Sequence, residues 1–147
     1  MEKKTEKKYV DHGFGFPIYL HDVPMTKVRG TWTPDINYND LTRAVAMALA
    51  SNDAFLTGSQ VKFIRQLFEM TLKEFGERFN VSHPAVIKWE NQKNKSTKMD
   101  WSTEKDIRME IVLRVVQSPK RIGDLFIGLE EKPSRASDSV NVELNVA

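Results

Sequence analysis

The chain of 147 residues contains no cysteine. Disulfides, thiolate nucleophiles and cysteine-ligated zinc or iron–sulfur centres are excluded together, and a reducing compartment is permitted. Histidine is almost as scarce: His12, His21 and His83 stand far apart, in no metal-ligand spacing. No window approaches the roughly 18 consecutive apolar residues that a membrane-spanning helix needs, so no membrane association is expected. The basic start MEKKTEKK is not followed by an apolar run of signal-peptide length, which points to the cytoplasm. A phosphate loop and a nucleophile elbow are missing too. Asp11-His12-Gly13 and Phe14-Gly15-Phe16 match neither, and a lone Gly-x-Gly reads as a turn. No catalytic residue, cofactor or metal is therefore expected.

Charge of one sign is also lacking overall, with 22 basic against 20 acidic residues and a net of +2. Its distribution is more informative. Residues 1–56 carry seven of each sign, 57–101 carry eight basic against five acidic, and 102–147 carry seven against eight. The basic excess sits in the middle third, where Lys88, Lys93, Lys95 and Lys98 lie close together. This is either a solvated loop or a surface for a polyanion. An apolar share of 40% suffices for a packed core, in one ordinary domain or two small lobes.

Local patterning divides the chain. Residues 1–8 form a charged leader expected to be flexible. Residues 9–53 are expected to form a small β/α lobe. Phe14 to Leu20, Val23 to Val28 and Gly30 to Trp32 look like short strands of a meander, with Pro24 and Pro34 at edges or turns. A helix capped by Asn37 then presents Leu41, Val45, Ala48 and Leu49. From Thr57 the period is helical. Thr57-Gly58-Ser59-Gln60 and Thr71-Leu72-Lys73-Glu74 both fit the capping box, and Ser82 opens a third helix. A longer helix runs from about Ser102 to Val116, with Pro119 ending or kinking it. The fold class expected is mainly α: a five-helix helix-turn-helix domain over residues 54–118, preceded by the β-meander and helix. In the extension 119–147, Ile122 to Leu129 suggest one more short helix. Val140, Val142, Leu144 and Val146 alternate as an edge strand would, which leaves disorder or a strand added at a dimer or partner surface.

The segment 70–92 carries the functional expectation. Two short helices crossing steeply need a small residue at their approach and a turn residue that tolerates a left-handed backbone. Gly76 and Asn80 supply them, while Phe75, Phe79, Val81, Val86 and Trp89 point inward. Ser82 accepts from the Ala85 N–H, so Pro84 removes only a donor that was free anyway. His83, Pro84, Ala85 and Lys88 then project from the end of a recognition helix that reaches base edges. Lys88 suits guanine O6 and N7, and Ala85 or Pro84 a thymine methyl. Thr71, Lys73, Ser82, Asn91 and Lys93 suit phosphates. Two alternatives stay open: three merely packed helices, and a His83 without a ligand.

The residues 70-MTLKEFGERFNVSHPAVIKWENQ-92 resemble the Cro/repressor-like (XRE) helix-turn-helix family at Thr71, Phe75, Gly76, Val81, Ser82, Val86, Lys88, Trp89, Glu90 and Asn91. With 18-IYLHDVPMTKV-28, Ile36-Asn37, 41-LTRAVAMALA-50 and 56-LTGSQVKFIRQLF-68, the chain is similar to the MqsA-type antitoxins over roughly residues 9 to 118. The resemblance implies a homodimer that represses its own operon at a palindromic operator in double-stranded DNA and holds a cognate toxin through its N-terminal lobe. Structural zinc in that lobe is part of the family pattern. Here Val28-Arg29-Gly30 stands near one expected cysteine pair, so the lobe must pack on the helical domain or on a partner instead. Leu72 replaces a usual Gln, and Pro84 stands where a base-contacting Asn can occur. Two other functions compete with the antitoxin reading: a protein-interaction module with DNA binding secondary, and a stand-alone transcriptional regulator.

Overall fold

The computed structural model describes residues 1–116 and 119–143. Strands β1 (Lys3–Asp11), β2 (Ile18–Val28) and β3 (Thr31–Pro34) form an antiparallel meander. Helices α1 (Tyr38–Ser51), α2 (Gly58–Leu67), α3 (Leu72–Arg78), α4 (His83–Glu90), α5 (Trp101–Val115) and α6 (Pro119–Gly128) follow. A two-residue strand, β4 (Ala54–Phe55), precedes α2 and pairs with β5 (Arg135–Ala136). The last strand, β6 (Val140–Glu143), runs parallel to the first half of β2. With 46% helix and 24% strand the chain is mixed, so the mainly-α expectation holds only in part.

Four further expectations need correction. Residues 3–8, read as a flexible leader, form most of β1, because β2 offers them a ladder: Lys3 to Glu6 pair with Thr26 to Val23, and Lys8 with His21. The two segments read as separate strands around residue 22 are joined in β2. Ile18 and Leu20 are buried at even positions, then Val23 and Met25 at odd ones. Asp22, at φ +53°, lies between them and switches the inward face. Pro24 is inside this strand, which has neighbours on both sides, and not at an edge or in a turn. Its carbonyl accepts from Asp35 on the side where β3 stops and β6 has not begun, so the missing N–H falls in a gap of the ladder. Finally, the terminal strand is added to the chain's own sheet and not to a partner; Leu144 and Val146 lie outside the described residues.

The core is continuous across the boundary expected at residue 53. Leu41, Val45 and Leu49 of α1 belong to the same buried cluster as Ile107 and Ile111 of α5, against which α1 packs. Residues 54–116 hold four of the described helices, and α1 joins them as the fifth. The sheet is seated on this bundle. Phe14 and Phe16 meet Phe63 of α2 edge-to-face, with centroids 5.5 and 5.7 Å apart. Leu20, Val140 and Val142 join the cluster from the sheet side. The lobe without zinc therefore has no separate core: it shares that of the helices.

A buried ion pair on α5 lies against the end of α1. Arg108, with no exposed surface, donates to the carbonyls of Leu49 (3.0 Å), Asn52 (2.6 Å) and Ala54, and to Glu104 Oε2 (3.0 Å). Glu104 Oε1 accepts from the Leu56 N–H at 3.0 Å. One side-chain pair thus closes the end of α1, the β4 segment and α5. Burial raises the Glu104 carboxyl above its ordinary range, although Arg108 opposes this.

Candidate nucleic-acid interface

Three caps position the middle helices, each set by residues three positions apart. Thr57 accepts from Gln60 N–H while Gln60 Oε1 accepts from Thr57 N–H. Thr71 and Glu74 repeat the arrangement at 3.1 and 3.0 Å. Ser82 Oγ accepts from Ala85 N–H at 3.2 Å, and Pro84 sits within the first helical turn, as expected.

Between α3 and α4 the chain turns at Asn80, whose φ is +57°. Gly76 makes the crossing possible: a Cβ there would stand 2.8 Å from the Val81 carbonyl oxygen. Val86 and Trp89 are buried, which settles Trp89 as a core residue, and Phe75 and Phe79 pack ring against ring at 4.8 Å. Arg65 locks α4 in place, donating to both oxygens of Glu90 (2.7 and 3.1 Å) and to the Met70 carbonyl (3.1 Å). This fork ties α2, the α2–α3 turn and the end of α4 together.

The outward face of α4 is thereby fixed. His83, Pro84 and Lys88 are exposed and Ala85 is half-buried, so Ala85 is the least accessible of the four residues expected to meet bases. Asn91 caps α4 and is exposed. Directly after it, residues 91–97 fold back over the start of α2, whose Gly58 and Ser59 N–H groups donate to the Lys95 and Lys93 carbonyls at 3.2 and 2.9 Å. Lys93 and Lys98 adopt positive φ and are exposed, as is Lys95. Among the described residues none of Lys88, Lys93, Lys95 and Lys98 is paired with a carboxylate. One unpaired ammonium group on α4 and three in the loop that follows it thus stand close together in sequence.

The start of α3 is less favourable to an anion. Thr71 and Lys73 are exposed, but the Thr71 N–H is taken by the Glu74 carboxylate, and this backbone hydrogen bond lowers the Glu74 carboxyl below its ordinary range. A negative charge already occupies that helix end and engages the Thr71 side chain as well as its N–H, which leaves the exposed Lys73 as the group there suited to a phosphate. Ser82 keeps its hydroxyl proton after accepting from Ala85.

Sequence reasoning missed four features: Gly58 beneath the α4 end, the Arg65–Glu90 fork, the seating of the lysine loop on α2, and Ile87, an exposed branched side chain on the outward face. Among the described residues no group of three or more potential metal ligands is assembled, and no helix is long and apolar enough to cross a membrane.

Comparison with protein families, with curated proteins and with solved structures finds no match.

Proposed function

We propose that the chain is a sequence-specific, double-stranded-DNA-binding transcriptional repressor. In this reading it is the antitoxin of a toxin–antitoxin pair, repressing its own operon as a homodimer on a palindromic operator. The supporting observation is the locked presentation of α4. His83, Pro84 and Lys88 stand free while Val86, Trp89 and the Arg65–Glu90 fork fix the opposite side. A helix held this way suits the major groove, with its leading residues on base edges. Lys93, Lys95 and Lys98 suit the flanking phosphates, joined by Lys73, the hydroxyl of Ser82 and the amide of Asn91. In this reading the protein is a binder and not an enzyme.

Gel-shift titration of the DNA upstream of the gene tests the proposal. Affinity should fall steeply with salt as phosphate counterions are released. Lys88→Ala should weaken specific binding by about 1–3 kcal/mol, the value of a good base contact. Equal affinity of the variant and the parent protein would reject the role given to Lys88.

The sheet favours a second, compatible reading. Strand β1 has no neighbour on its outer side among the described residues, which leaves a nine-residue edge. Such an edge can accept a strand from another protein, a toxin in the antitoxin reading. A stable complex with the product of the neighbouring gene that shifts no DNA would make this the primary function.

A further inference from the structure

Ile87 is 38% exposed, although it sits in the middle of an eight-residue helix. At 100° per residue it lies on the side opposite the Val86 and Trp89 pair, one turn from His83 and from Asn91 and next to Lys88. Isolated exposed apolar side chains are ordinary, and Leu113 and Ile127, at 58% and 68%, are more exposed. Ile87 differs in its company. It is the large apolar group on a face otherwise formed by His83, Pro84, Lys88 and Asn91, all exposed.

We propose that Ile87 reads the C5-methyl group of a thymine neighbouring the base met by Lys88. This rests on the DNA-binding reading above. Among the base-edge groups of the major groove, the thymine methyl is the apolar one. Ile87 has no polar atom with which to answer a donor or acceptor. Opposite cytosine it would cover the N4 amine without offering it a hydrogen bond, a desolvation cost with no return. The β-branched side chain holds one main rotamer in a helix, so little freedom is lost on contact. Ile87 accordingly selects thymine over cytosine, and the preferred half-site carries a thymine beside the Lys88 contact.

The full-length protein should first be used to enrich sequences from a randomised double-stranded DNA pool. The enriched duplex is then remade with each thymine replaced singly by deoxyuridine, which deletes the methyl group alone, and affinities are read by fluorescence anisotropy. One replacement should cost the parent protein about three- to fivefold, as expected for one buried methyl-sized group. With Ile87→Ala the same replacement should cost less than about twofold, because the two changes remove the same contact. Alanine is a good helix former, and circular dichroism checks that the variant folds; if it does not, Ile87→Val serves with an intermediate uracil penalty expected. An enriched motif with no uracil penalty that depends on residue 87 overturns this inference and leaves DNA binding intact. Failure of the parent protein to enrich any sequence overturns the DNA-binding reading, and this inference with it.

Discussion

Arg108→Ala is expected to lower the unfolding free energy by about 3–5 kcal/mol, the usual consequence of removing one member of a buried pair. That is a large fraction of the stability of a domain this size. The substitution strands three carbonyls, those of Leu49, Asn52 and Ala54, and leaves Glu104 buried without its counter-charge. Because these groups close the joint between α1 and α5, the sheet and the helices should lose cooperativity together in urea denaturation followed by circular dichroism. A loss below about 1 kcal/mol, in the range of an exposed pair, would show that the pair contributes little. Glu104 adds a pH signature. Its carboxyl is raised in the folded chain by burial, so the folded state binds this proton more tightly than the unfolded state. The associated stabilisation is complete below the ordinary carboxylate range and is lost as pH rises through the raised value. Glu104→Gln should flatten that part of the stability curve.

Gly58→Ala should have an effect of similar size from a single methyl group. A Cβ at residue 58 would stand 2.3 Å from the Trp89 carbonyl oxygen, 2.7 Å from the Lys93 nitrogen and 2.9 Å from the Glu90 carbonyl oxygen. All three are backbone atoms of the α4 end and the lysine loop, so no side-chain rotation relieves the clash. Overpacking of this kind costs typically 1–3 kcal/mol, and the upper end is expected here, with about 3 kcal/mol lost. DNA affinity should fall as well, because the displaced segment carries Lys93 and Lys95. Gly123→Ala in α6 is the control: a Cβ there meets nothing within 4 Å, and stability should rise by a few tenths to about 1 kcal/mol from helix propensity. Thermal denaturation of the two variants side by side separates steric from propensity effects. A Gly58→Ala protein as stable as its parent would mean that α2 and α4 do not approach so closely.

The helices that carry the candidate interface were legible because their signals are local. Each hydroxyl cap and its partner lie three residues apart, and Gly76 and Asn80 announce the crossing within the same segment. The sheet was not, because its pairing is non-local. The lysines of β1 read as a solvated leader, since nothing nearby in sequence shows that β2 lies alongside them. One left-handed residue, Asp22, reversed the alternation that defines a strand and so divided β2 in two. Strand β6 pairs with residues more than a hundred positions away. The Glu104–Arg108 spacing of four is visible in the sequence, but it suits a solvated helix face equally well; only tertiary packing buries it. Ile87 escaped notice for the complementary reason. An apolar residue beside Val86 and Trp89 reads as core until the helix is seen to have one buried side.

The most direct test of the account is amide chemical-shift mapping of the full-length protein on titration with the upstream duplex. The largest changes are expected at residues 82–91 of α4 and its cap and at 93–98 of the lysine loop, with smaller ones near Thr71, and they should diminish at high salt. Shifts confined to β1 and its neighbours, with the α4 amides unmoved, would contradict the assignment of this surface to DNA.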